Sequence, residues 1–172
     1  SLVANEQRNG TTRYRLLETV RQYARDRLLE SGEGSLGRDR HLEYFLAVAE
    51  EAEPQLTGAD QQAWLDRLET EHDNLRSALA WSSAEGADTA SGLRLAGALS
   101  AFWEVRGYLG EGRGWLASLL AAAPGGRNAA RAVALNGAGV MAWQQADYAT
   151  AQTLHEECLA IRRELGNRRG VA

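Results

Sequence analysis

The spacing of apolar residues changes once near the start of the chain. Leu2-Val3-Ala4 and Tyr14-Arg15-Leu16-Leu17 flank a polar stretch holding Asn9-Gly10, a dipeptide that accepts the positive φ angles of a tight turn, so a short β-hairpin is predicted there. From Glu18 the period lengthens: Val20, Ala24 and Leu28 recur every four residues, with Arg21, Arg25 and Asp26 off the stripe. That is an amphipathic helix, ended by the flexible joint Ser31-Gly32-Glu33-Gly34.

The helical period persists to the end of the chain. Leu42, Phe45, Leu46, Ala49 and Ala52 line one face of a helix over about 38–53, which Pro54 and Gly58 close. Asp60 is placed to cap a following helix that carries Trp64, Leu68, Leu75 and Leu79 and ends between Trp81 and Gly86. A second helix pair is predicted over 90–106 and 109–122, hinged at Gly107-Tyr108 and closed by Pro124-Gly125-Gly126. A third pair covers 128–145 and 148–165, turning at Ala146-Asp147. Nothing after the hairpin alternates with period two, so the fold class is all-α apart from that hairpin.

The third pair carries Ala138-Gly139, Ala142, the turn Ala146-Asp147-Tyr148, Ala151 and the closing run from Glu157 through Cys158-Leu159 to Gly166. These residues resemble a tetratricopeptide repeat over about 132–169. Two antiparallel helices approach to about 8–10 Å only where the facing residues are small, so Gly139 and Ala151 would permit the contact while Tyr148 packs over the hinge. The second pair is similar and more divergent: Leu99-Ser100 stand for the small pair, Trp103 for the aromatic, Gly107-Tyr108-Leu109 for the turn and Gly112 for the crossing alanine. Gly112 to Ala151 is 39 residues against the usual 34 or so, and the loop 124–128 can hold the surplus. The implied architecture is antiparallel helix pairs in a right-handed tetratricopeptide-like superhelix. It divides into 1–34, a linker or capping pair at 35–88, and repeats over 89–172, one divergent, one clear and a third cut short at Arg169-Gly170-Val171-Ala172.

Four blocks in order extend the resemblance over nearly the whole chain: Tyr14 to Ala24, His41-Leu42-Glu43-Tyr44-Phe45, Trp64 to Glu69, and Glu71 to Arg76. They are similar to the post-ATPase region of bacterial STAND-class signal-transduction ATPases, often LuxR-like regulators. That resemblance implies a multidomain ATP-dependent transcriptional regulator, with ATP bound in an upstream domain and 1–34 forming the end of a winged helix. Leu16, Leu17 and Glu18 stand where many relatives carry a nucleotide-contacting Met-His-Asp triplet. Because the histidine is missing, no cofactor is expected on this piece. The chain opens on Ser1 and stops at Ala172 without a fold-ending signal, so a longer parent is expected.

Charge and residue chemistry narrow the function. The formal charge is −4, all 19 basic residues are arginine, and the first 30 residues carry six arginines against four acids, a solvated face rather than a nucleic-acid footprint. With no lysine there is no phosphate-binding Gly-x-x-x-x-Gly-Lys loop. His72 lies on the stripe between Leu68 and Leu75, which favours a buried or half-buried histidine bonded locally over a metal or acid–base role. His41 and His155 lack partners at ligand spacing, and the lone Cys158 occupies a small packing position. No apolar run is long enough to span a membrane and no signal peptide is visible, so a cytoplasmic setting is expected. Trp64, Trp81, Trp103 and Trp115 are expected in the core.

What remains is binding. In arrays of this type a peptide lies against the first helix of each pair. The concave positions are then Asn136, Val140, Trp143 and Gln144, with Arg94, Ala101 and Glu104 in the divergent copy. The expectation is a non-catalytic protein- or peptide-interaction module that makes no direct contact with nucleic acid or membrane. The alternatives are a self-association scaffold, through an uncapped last repeat, and a structural spacer.

Overall fold

The computed structural model describes residues 3–8, 11–16, 19–20, 22–24, 27, 34–84 and 88–166. Two compact units divide the chain, Ser1–Arg40 and His41–Ala172. In the first, β1 (Val3–Arg8) pairs antiparallel with β2 (Thr11–Leu16), Val3 opposite Leu16 and Arg8 opposite Thr11. The Asn9-Gly10 turn, Leu17-Glu18 and the Ser31-Gly32-Glu33 joint lie outside the described residues, as does the start of a further repeat after Gly166. Gly34 is already helical and opens α1 (Gly34–Ala52), inside which the two units divide.

The second unit is helical throughout its described elements. After α1 comes a 3-10 turn, Glu53–Thr57, with Pro54 in its first turn. Leu42, Phe45, Leu46, Ala49 and Ala52 are all buried, as their stripe requires. The helix expected from Asp60 to Trp81 is two: α2 (Gln61–Thr70) and α3 (His72–Ser82), broken at Glu71. Asp60 precedes α2, but its side chain makes no capping bond. The break has a packing purpose, since Leu65 and Leu68 are buried from α2 and Leu75, Ala78 and Leu79 from α3.

The next predicted helix is also interrupted, at Leu99, giving α4 (Thr89–Ala98) and α5 (Ser100–Arg106). Gly107 then takes a left-handed φ of 78° that ends α5, and α6 runs Leu109–Ala122. The last pair is α7 (Ala129–Gln144) and α8 (Tyr148–Glu164). Asp88, Asn128 and Asp147 each accept a backbone N–H from the first turn of α4, α7 and α8, a cap typically worth about 1 kcal/mol.

Glycines and short side chains set the helix-to-helix distances. A Cβ on Gly112 would lie 2.7 Å from Met141 Sδ and 2.8 Å from Trp103, and one on Gly139 would lie 2.7 Å from the His155 ring. Gly92 faces Ser82 and Leu119, Gly97 faces Val133, and Gly137 faces Ser100 and Leu116. The pairings Gly112–Met141 and Leu116–Gly137 run in opposite senses, so α6 and α7 are antiparallel. Gly97–Val133 and Ser100–Gly137 run in the same sense, so α4–α5 and α7 lie parallel. Ala142 and Ala151 are buried as expected of crossing residues. Tyr148 is not: it is 61% exposed rather than packed over the hinge. Of the four tryptophans expected in the core only Trp103 is fully buried, while Trp64, Trp81 and Trp115 are partly buried against it.

Candidate protein-interaction surface

Helix α7 presents a stripe at helical spacing, Val133, Asn136, Val140 and Trp143, on the side turned away from the buried Ala134, Leu135, Ala138, Met141 and Ala142. Asn136 and Val140 are half-buried, and Trp143 and Val133 are exposed at 61% and 37%. Beside the stripe, α5 contributes half-buried Ala101, exposed Glu104 and Val105, the last at 51%. Gln144 donates from Nε2 to Glu104 Oε1 at 2.7 Å, which joins the two helices directly.

Six of the seven expected contact residues therefore lie on α5 and α7, the helices that form this face. Arg94 does not. It donates from Nε and a terminal nitrogen to both oxygens of Glu50 on α1, at 2.8 Å each. Val105 and Val133 were not anticipated. Val133 was legible, standing three residues before Asn136 and seven before Val140 on one helical stripe.

A second feature is a charged network where α2 and α3 meet α5 and α6. His72 is buried, but its partner is not local: Nε2 lies 3.0 Å from Glu111 Oε1, 39 residues on, and its ring packs edge-on to Phe102 at 5.3 Å and tilted on Tyr108 at 4.6 Å. Arg76 donates to both Glu111 oxygens, at 2.9 and 2.6 Å, and holds that carboxyl below the usual carboxylate range against its partial burial. Tyr108 Oη donates to Glu69 at 2.7 Å, which keeps the phenol protonated to higher pH than usual, and Arg106 pairs with Asp66. These groups bind one another, an arrangement suited to fixing helices in place.

His41 packs tilted against Phe45 at 4.6 Å and bonds Asn74, while His155 lies against Gly139. Cys158 is buried, its Sγ 3.1 Å from the carbonyl oxygen of Ala132, and burial pushes the thiol pKa up, away from reactivity. Among the described residues no three of His, Cys, Asp and Glu are grouped to hold a metal, and no helix is long and apolar enough to cross a membrane.

Three proteins of known sequence are similar to this chain, one from Mycobacterium bovis and one from each of two strains of Mycobacterium tuberculosis. All three carry a provisional name, HTH-type transcriptional regulator, and each is 44% identical over 120 residues. The matched stretch is 70% of this chain and 13% of each relative, so the chain corresponds to a small part of a much longer protein in those organisms. No protein-family model matches the chain, and no solved structure matches it.

Proposed function

We propose that this chain is the non-catalytic sensing segment of a cytoplasmic, multidomain, ATP-dependent transcriptional regulator of the STAND, LuxR-like kind, built on tetratricopeptide-like repeats. The observation that carries the reading is the parallel seating of α4–α5 beside α7, with α6 and α8 behind them. Bonds between successive pairs join residues 34 and 40 apart, the spacing a repeat of about 34 residues with a small insertion sets. In such an array the first helices form the concave wall, here the α5–α7 face with half-buried Asn136 and exposed Trp143. Asn136 offers a donor and an acceptor to a peptide backbone, and Trp143 an anchor surface. The regulatory setting draws support from the names of the relatives. ATP, on this reading, binds in a preceding domain, the hairpin closes a winged helix, and DNA is contacted elsewhere in the parent.

The test is a binding titration of a captured protein partner against wild type and the double variant Asn136→Ala/Trp143→Ala. A loss of about tenfold or more in affinity is expected, and an unchanged curve overturns the reading. Exposed Tyr148 and Leu165 at the two ends of α8 favour self-association as a second reading. A dimer in sedimentation that persists on dilution and is lost in Tyr148→Ser/Leu165→Ser would establish it.

A further inference from the structure

Among the described residues, the carboxylates that tie neighbouring helices together in this unit follow a rule from which one departs. Glu111 is answered by Arg76, Asp147 by Arg113 and Glu157 by Arg131. Glu104, on the α5–α7 face, is instead bonded by the uncharged amide of Gln144, so its charge is oriented but not neutralised. Its chain neighbour Val105 and the neighbour of Gln144, Trp143, are the two most exposed apolar residues of that face, at 51% and 61%. The cation expected here, Arg94, is engaged by Glu50 on α1, and the chain has no lysine.

We propose that this face selects a peptide segment that sets an arginine or lysine against Glu104 and Trp143, with apolar side chains running along Val140 and Val133. The proposal rests on the peptide-binding reading above and adds its charge specificity. An oriented carboxylate attracts a guanidinium or ammonium, and the face of an exposed indole adds a cation–π attraction to the same group. An acidic segment is disfavoured, because Glu104 repels it and Arg94 is held at α1.

The full chain, immobilised, is used to select from a random-peptide phage library, and selected peptides are titrated by fluorescence anisotropy. The expected peptides carry a basic residue beside large apolar ones. Their affinity is expected to fall about tenfold or more with Glu104→Arg, less with Glu104→Gln, and also with Trp143→Ala. Both side chains are exposed, and circular dichroism checks that each variant folds. Peptides that depend on Trp143 yet lack a basic residue, or ignore Glu104→Arg, overturn the charge specificity and leave peptide binding standing. Failure to select any peptide, or selected peptides indifferent to both Trp143→Ala and Asn136→Ala, removes the peptide-binding reading and this inference with it.

Discussion

Arg131 on α7 and Glu157 on α8 meet at 2.8 Å, and the same guanidinium, on a residue only 8% exposed, also donates to the carbonyls of Leu120 and Ala123 at 3.1 and 2.8 Å. Those carbonyls lie at the C-terminal end of α6, where a helix has no internal donors left and carries partial negative charge. One side chain thus joins α6, α7 and α8. Arg131→Met should lower unfolding stability by about 2 kcal/mol, since the buried carbonyl of Leu120 and the half-buried one of Ala123 lose their donor. Glu157→Gln should cost less, about 1 kcal/mol, because that carboxylate is partly solvated and its amide replacement retains an acceptor. Urea melts of both variants check the order; equal costs would place the stabilisation in the ion pair alone.

Of the three glycines in helix α6, Gly112 and Gly114 have opposite environments. A Cβ at Gly112 would press on Met141 Sδ and Trp103, whereas one at Gly114 would meet nothing within 4 Å. Gly112→Ala should destabilise by about 1–3 kcal/mol through overpacking at the α6–α7 crossing. Gly114→Ala should stabilise by about 0.5–1 kcal/mol, because alanine loses less backbone freedom in a helix. Thermal melts that moved both variants in one direction would contradict the packing described here.

The contrast at Gly112 also shows what the sequence carried. Its assignment as a crossing residue came from the resemblance to a repeat, whereas the stripe Leu42 to Ala52 followed from spacing, because one-sided burial leaves a period in the residue order. The breaks at Glu71 and Leu99 left no such trace: neither glycine nor proline stands there, and the interruption comes from two short helices each turning its own large apolar side chains into one core. Of the proposed surface, the α7 stripe was visible in one helix. The engagement of Arg94 by Glu50 was not, since it joins residues 44 apart on elements whose mutual rotation no local pattern encodes. The network around His72 and Glu111 was hidden for the same reason.

Ala146, in the turn between α7 and α8, is the one non-glycine residue with positive φ among the described residues, at 60°. A Cβ in that left-handed region costs about 1–2 kcal/mol, partly offset by the greater chain entropy glycine loses on folding. Ala146→Gly should therefore stabilise the protein by about 0.5–1 kcal/mol. A denaturant midpoint that did not rise would mean the turn relaxes to accommodate alanine.

His41 supplies the pH prediction. Burial between α1 and α3 lowers its pKa below the ordinary 6.5, only partly countered by the bond to Asn74 and the charge of Glu71. Because the folded value is the lower one, the unfolded chain binds more protons between the two values. The stability carried by neutral His41 is complete above pH 6.5 and drains away as pH falls through the depressed value. Glu111, lowered by Arg76, adds a second loss in the same direction at more acid pH, through the carboxylate range. Melting temperature should accordingly decline from neutral pH in two stages. His41→Gln should flatten the first and leave the second, and a wild-type profile level between pH 7 and about 5 would refute the role given to His41.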